Sequence, residues 1–79
     1  MTSHKIPKET YNSDLSYCIN EFVRNVEHRK MLRDWWFHGE TLEGLAGKYH
    51  ISLTSVKQII YEEGDPIILK ATQKSNKRK

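Results

Sequence analysis

The sequence predicts an all-α fold, a small bundle of three or four helices with a flexible N-terminal arm and a basic C-terminal tail. Apolar residues recur at steps of three and four through most of residues 13–69, which is the period of helices packed on one side. Glycines and small polar residues interrupt this pattern at intervals typical of helix ends. Neither end of the chain has the pattern, so we expect both ends to be unstructured.

The first predicted helix spans residues 14–25. Residues 1–12 are polar, contain Pro7 and have no period, which predicts a mobile arm. Either Asn12 or Ser13 can cap the first helical turn. The apolar stripe of this helix is expected to comprise Leu15, Ile19, Phe22, Val23 and Val26.

A second helical stretch runs from residue 27 to residue 38. It places Met31, Leu32, Trp35 and Trp36 on one side. We expect Arg29, Lys30, Arg33 and Asp34 to face elsewhere. The sequence leaves open whether these two helices are continuous, and Asn25 is the predicted break if they are separate.

Two shorter helices follow. Gly39 can adopt a positive φ and end the second helix, and Thr41 can cap a third with the stripe Leu42, Leu45, Ala46 and Tyr49. Ser52 can cap a fourth helix, whose buried face is expected to comprise Leu53, Val56, Ile59 and Ile60. The run Gly64, Asp65, Pro66 predicts its end, and residues 70–79 are expected to form a disordered basic tail.

The spacing around Ala46 is that of a helix-turn-helix, over residues 42–61. A small residue is needed where two helices cross closely, and Ala46 supplies it. His50 follows four residues later in the turn, then the apolar Ile51, while Val56 and Ile59 face back toward Ala46. The turn usually carries Gly, but His enters the left-handed region more readily than most residues. The fold class is therefore a small bundle containing a helix-turn-helix within a domain of residues 13–69.

The fourth helix has a candidate reading face for DNA. If Val56, Ile59 and Ile60 are buried, Thr54, Gln58 and Tyr61 face outward. Glutamine can pair with an adenine edge, the threonine methyl can touch a thymine methyl, and lysine can reach guanine or phosphate. The complete set of candidate DNA-binding residues is Ser52, Thr54, Ser55, Lys57, Gln58 and Tyr61, with Arg29, Lys30 and Arg33 on the flanking backbone.

Composition argues against several other classes of protein. The chain has 79 residues, room for one domain, and Cys18 is its only cysteine, so no intrachain disulfide can form. The four histidines have no metal-ligand spacing, and no pocket-like set of acids, bases and nucleophiles emerges. No apolar run approaches the length of a membrane span. We therefore expect a cytoplasmic protein without metal or cofactor that is not an enzyme.

The formal charge of +3 is unevenly distributed. Residues 1–66 carry eight basic and ten acidic side chains, and the five remaining basic residues all follow residue 69. The folded part is therefore slightly acidic, which opposes strong sequence-independent binding to phosphates. The tail is either a solubilising end or a phosphate-binding arm.

From about Arg29 to Leu69, the chain resembles region four of bacterial sigma factors and the related small sigma-like regulators of phages and mobile elements. The resemblance rests on the run MLRDWWFHGETLEGLAGKYHISLTSVKQII, with an aromatic pair before a Gly, then Thr-Leu-Glu, Leu-Ala, Ile-Ser and Val-Lys-Gln-Ile. It implies a compact helical domain whose last helix enters the major groove and, in true sigma factors, a second surface that meets RNA polymerase. Gly44, Gly47, Glu62 and Glu63 depart from the usual pattern, and no other sigma region is present.

Two functions follow as hypotheses. The first is sequence-specific binding of double-stranded DNA by a transcriptional regulator of phage or mobile-element type. The second is a protein-interaction module on the same scaffold, which uses exposed aromatic residues and Ile67, Ile68 and Leu69 to bind RNA polymerase or a second copy of itself. Fold alone does not decide between them.

Overall fold

The computed structural model describes residues 6–78, and within them it contains helices and turns but no strand. The elements in chain order are α1 (Asn12–Phe22), α2 (Val26–Phe37), α3 (Leu42–Tyr49), α4 (Leu53–Gln58), a π turn (Ile59–Glu63) and α5 (Gly64–Arg78). The last three elements run on without a break, so the bundle has four helices. The prediction of a small all-α bundle is confirmed. No helix in the described part of the chain is both long and apolar enough to cross a membrane.

The first two helices are separate, and Asn25 is the break. Helix α1 ends at Phe22, and Val23 is extended. The Asn25 side chain caps α2 by accepting hydrogen bonds from the backbone N–H groups of Glu27 at 2.9 Å and His28 at 3.2 Å. The side-chain oxygen thus satisfies two amides of the first turn that have no partner within the helix.

The stripe predicted for α1 is only partly buried. Leu15, Ile19 and Val23 lie in the core, but Phe22 and Val26 are 52% and 59% exposed. The reason is that the helix ends at Phe22, so its period does not extend to Val26, and the Phe22 ring lies on the surface beside Lys70 of α5. The expectation that these two residues belong to the core was wrong.

The C-terminal part of the chain differs most from the prediction. We expected the fourth helix to stop before Gly64 and residues 70–79 to be disordered, but α5 continues to Arg78. Pro66 is the third residue of α5, shortly after the π turn, and it has no N–H to donate to the preceding helical turn. Buried residues recur along the continuous helix at steps of three and four: Val56, Ile60, Gly64, Ile67, Ala71 and Ser75.

Residues 6–11 are held against α5 instead of forming a free arm. Thr10 is buried, and its hydroxyl lies 2.6 Å from that of Thr72. The N–H of Tyr11 donates to Ser75 Oγ at 2.9 Å, and Tyr11, not Asn12 or Ser13, occupies the N-cap position of α1. These bonds require an ordered α5, which the sequence did not predict. The rest of the arm predicted over residues 1–12, namely residues 1–5, lies outside the described residues.

A buried polar pair joins α1 to α5. The hydroxyl of Ser75 donates to Asp14 Oδ2 at 2.7 Å, and both residues are fully buried. Since a buried carboxylate is costly without hydrogen bonds, this pair fixes where α5 lies along α1. Small residues on α5, including Ala71, let the two helices approach.

The loop between α2 and α3 follows the prediction. Gly39 has φ +69°, in the left-handed region, and the Thr41 hydroxyl accepts a hydrogen bond from the N–H of Gly44 at 2.9 Å. Gly47 lies inside α3 and is exposed, and a Cβ added there would meet no atom of residues 6–78 within 4 Å.

Gly47→Ala is expected to raise the free energy of unfolding by about 0.5–1 kcal/mol, because alanine loses less backbone entropy than glycine in a helix. Gly39→Ala is the matched control and is expected to lower it by about 1–2 kcal/mol, because a left-handed conformation is strained for a residue with a Cβ. Urea denaturation followed by circular dichroism measures both changes. Equal effects of the two substitutions would contradict the assigned backbone geometry.

Candidate nucleic-acid interface

The turn between α3 and α4 has the predicted conformation. His50 ends α3 with φ 57° and ψ 43°, a left-handed conformation. The N–H of Ile51 donates to the carbonyl of Ala46 at 3.1 Å, which closes the end of α3. Ser52 then caps α4. A histidine therefore occupies the position for which the turn favours glycine.

Helix α4 presents a row of polar side chains to solvent. Thr54, Lys57 and Gln58 are exposed, whereas Val56 on the opposite side is completely buried. Tyr61 is 47% exposed but lies in the π turn. Because that turn is wider than an α-helical turn, Tyr61 is rotated away from the line of Thr54 and Gln58.

Two of the predicted contact residues form the cap of α4. Ser52 Oγ accepts a hydrogen bond from the N–H of Ser55 at 3.1 Å, and the Ser52 hydroxyl donates to Ser55 Oγ at 3.0 Å. Both hydroxyls are therefore engaged within the first turn. Ser52 is exposed and Ser55 is half-buried.

The basic residues predicted to flank the DNA divide into two groups. Arg33 donates to Ser16 Oγ at 2.8 Å and to Asn20 Oδ1 at 2.6 Å, so its guanidinium joins α2 to α1. Arg29 Nε donates to the carbonyl of Val23. Lys30 is exposed on α2. The two arginines hold the bundle together, and Lys30 remains on the surface.

A polar network centred on Asp34 was not found from the sequence. We expected Asp34 to face away from the apolar side of α2, but it is buried, with a side chain only 8% exposed. Its Oδ2 accepts from Tyr49 Oη at 2.7 Å and from Lys48 Nζ at 2.9 Å, and its Oδ1 lies 2.9 Å from His38 Nδ1. The Asp34 carbonyl also accepts from the N–H groups of His38 and Glu40 at 3.2 Å.

This network joins α2 to α3 and thereby orients the helix-turn-helix. Three side chains converge on one carboxylate, and two of them come from neighbouring positions on α3. A fixed α3 in turn fixes the turn that leads into α4. The position of the exposed row on α4 therefore depends on a residue outside it.

The network shifts the acid–base equilibria of its members. Burial by itself would raise the pKa of Asp34, but the hydrogen bonds from Tyr49, Lys48 and His38 outweigh it, and the pKa is lowered. Burial, together with the bond to Asp34, raises the pKa of Tyr49 to about 12. The hydrogen bond to Asp34 raises the pKa of Lys48. At neutral pH the network contains an ionised carboxylate and a neutral phenol.

Other residues singled out in the sequence lie in ordinary structural positions. Cys18 is buried, and burial raises the pKa of its thiol, so the reactive thiolate is scarce at neutral pH. His28 Nδ1 lies 2.7 Å from Glu63 Oε2, close enough for an ion pair when the ring is protonated, but the pair lacks hydrogen-bond geometry. Among residues 6–78, no three histidine, cysteine or acidic side chains come together as a metal site.

The apolar segment after Pro66 offers less surface than the protein-interaction hypothesis needs. Ile67 is buried and Ile68 packs against the core, so only Leu69 is well exposed, at 59%. Two of the three residues assigned to a partner surface therefore contribute to the bundle itself.

The chain has no significant match among models of protein families, curated proteins or solved structures. The resemblance to region four of sigma factors thus stays a prediction.

Tyr49→Phe is expected to lower the free energy of unfolding by about 1–2 kcal/mol, since it removes one hydrogen bond to the buried Asp34 carboxylate. Tyr17→Phe removes the hydroxyl of a half-exposed tyrosine on α1 and is the matched control, with an expected change below about 0.5 kcal/mol. Chemical denaturation at neutral pH measures both. A Tyr49→Phe variant as stable as the control would exclude a structural role for the network.

The stabilisation by Asp34 is expected to disappear in acid. Its pKa in the folded state lies below the ordinary value of 3.8, so its contribution is complete above that pH and is lost as the pH falls through the folded-state value. Asp34→Asn should therefore be less stable than the unaltered chain at neutral pH, and the difference should shrink in acid. Denaturation midpoints measured across this range test the prediction, with Glu9→Gln, at an exposed carboxylate, as control. A difference that stayed constant with pH would count against it.

Proposed function

We propose that this chain binds double-stranded DNA in a sequence-specific manner through α4, and that it regulates transcription in the way of the small regulators of phages and mobile elements. The observation that carries the proposal is the row Thr54, Lys57 and Gln58, exposed on a capped helix that follows a left-handed turn. Within residues 6–78, these three side chains take part in no hydrogen bond or ion pair, so they are available to a ligand.

The chemistry of the row suits the edges of base pairs. The carboxamide of Gln58 offers a donor and an acceptor together, the combination that pairs with adenine in the major groove. Thr54 lies four residues earlier, one turn away on the same side of the helix. Lys57 adds a positive charge at the flank. The major groove of DNA, about 12 Å wide, admits an α-helix.

Charge along the helix favours one orientation on DNA. Glu62, Glu63 and Asp65 follow α4 directly, and they would repel phosphates near the C-terminal end of the row. The N-terminal end of α4 has no acidic residue in its first turn and carries the partial positive charge of a helix start. We therefore assign the contact to residues 52–58, with the π turn outside the groove.

Residues 1–66 carry ten acidic and eight basic side chains, and the ion pair of Asp34 with Lys48 at 2.9 Å leaves that net balance unchanged. Lys30 adds an exposed positive charge on α2. Affinity from this part of the molecule is expected to come from base contacts more than from phosphate neutralisation.

Selection of bound duplexes from a random pool tests the proposal. The intact chain is expected to enrich one motif, and Gln58→Ala should relax the preference at one or two positions, at a cost of about 1–3 kcal/mol, or fivefold to 150-fold in affinity. Asn76→Ala removes an exposed carboxamide elsewhere on the same continuous helix and is the control. It should enrich the same motif as the intact chain.

Two results would overturn the proposal. One is the absence of any enriched motif at low salt from a chain that circular dichroism shows to be folded. The other is a motif that Gln58→Ala leaves unchanged, which would place base readout elsewhere. Self-association or binding to RNA polymerase without DNA binding would favour a protein-interaction role.

A further inference from the structure

One groove of the bundle combines lysines with aromatic rings. It lies between α1 and α5 and has a volume of about 270 Å³. Its walls include Tyr17, Cys18 and Phe22 from α1 and Lys70, Lys74 and Lys77 from α5. We call it the lysine groove.

The lysines recur at steps of four and three, so they lie on one side of α5. From Lys70 to Lys77 the helix rises by about 10 Å, at about 1.5 Å per residue. Among the described residues, none of those that line the lysine groove carries a carboxylate. The result is a short row of positive charge on a rigid helix, in a chain whose first 66 residues are net acidic.

Two of these lysines are held by rings from α1. Lys70 Nζ lies 4.8 Å from the centre of the Phe22 ring, and Lys74 Nζ lies 4.8 Å from that of Tyr17. Both distances fall within the range of cation–π attraction. The arrangement explains why Phe22 and Tyr17, though about half-exposed, stand beside α5. A lysine held in place loses less conformational entropy when it binds an anion than a free one.

The lysine groove is remote from the reading row. Twenty residues of continuous helix separate Thr54 from Lys74, a distance of about 30 Å at 1.5 Å per residue. The major groove of DNA is about 12 Å wide, so the reading row and the lysine groove cannot both lie within the same major groove segment. The acidic residues Glu62 and Asp65 lie between them along the helix.

We propose that the lysine groove is a second DNA-contact surface, which binds backbone phosphates regardless of base sequence. The assignment to DNA rests on the proposed function of α4, whereas the attraction to phosphate follows from the lysines alone. Regularly spaced positive charges on a helix suit a regularly charged polymer, and lysine is a common phosphate ligand. Among the described residues that line the groove, Phe22 is the one half-exposed large side chain without a polar atom, which is too little apolar surface for insertion into a lipid membrane.

The first test compares two variants with the same loss of charge. Lys70→Gln with Lys74→Gln alters the lysine groove, and Lys8→Gln with Arg24→Gln removes two exposed positive charges elsewhere. Fluorescence anisotropy with a labelled random-sequence duplex gives the dissociation constant at several salt concentrations. The groove variant is expected to bind about tenfold more weakly at low salt. A plot of the logarithm of the binding constant against the logarithm of the salt concentration should have a slope smaller in magnitude by about 1.8, or about 0.9 per lost phosphate contact.

The second test keeps the charge and removes the rings. Tyr17→Leu with Phe22→Leu leaves every lysine in place but abolishes the cation–π contacts, and binding of the random duplex is expected to weaken about twofold to fivefold. Because both side chains are about half-exposed, thermal unfolding followed by circular dichroism can establish that the variant is folded.

Three outcomes would overturn the proposal: a groove variant that matches its charge control in affinity and slope, ring variants that bind as well as the intact chain, or displacement of the duplex by polyglutamate as readily as by unlabelled DNA. Failure of the α4 proposal is distinguishable from these outcomes. In that case no motif is enriched, while the groove variant still changes the salt slope on random DNA.

Discussion

The bundle depends on one continuous helix, from Leu53 to Arg78, that keeps a single face buried along its whole length. Residues spaced by four drift by about 40° per step around an α-helix, so Val56, Ile60 and Gly64 would turn progressively away from the core. The π turn between α4 and α5 takes up the extra residue and returns Gly64 to the buried side. At Gly64 the helix passes close to α2, where an added Cβ would lie 3.4 Å from atoms of Leu32 and Trp36. Everything packed on α5 depends on this alignment.

Helix α1 is positioned by polar contacts from two sides, one set from α2 and one from the continuous helix. From α2, Arg33 reaches Ser16 and Asn20; from α5, Ser75 reaches Asp14. Apolar packing alone fixes the distance between helices better than their register, because one methyl group can replace another at small cost. A buried carboxylate that accepts a hydrogen bond from a buried hydroxyl allows far fewer alternatives. These bonds therefore specify which turn of α1 faces which turn of α5.

The parts of the fold that follow from local chemistry were predictable from the sequence. The caps at Thr41 and Ser52, the break at Asn25 and the left-handed conformations at Gly39 and His50 each depend on a few neighbouring residues. The continuation of the helix past Pro66 could not be predicted from the sequence, because it depends on a π turn that tertiary packing selects. The sequence predicted a solvated basic tail at residues 70–78 because their buried contacts come from Ala71 and Ser75, two small residues with a weak hydrophobic signal. The Asp34 network was missed for a related reason, since Lys48 and Tyr49 are fourteen and fifteen residues away.

The same continuous helix determines how the two proposed DNA contacts relate to each other. The row on α4 and the lysine groove belong to one rigid rod, and Glu62, Glu63 and Asp65 occupy the stretch between them. Phosphates are repelled from that stretch, so a strand of DNA cannot follow the rod from one contact to the other. Under the two proposals, the lysine groove is expected to meet a different stretch of backbone, either where DNA curves around the bundle or on a second duplex. Phosphate contacts there would strengthen binding without altering base readout, which is assigned to the few side chains of α4.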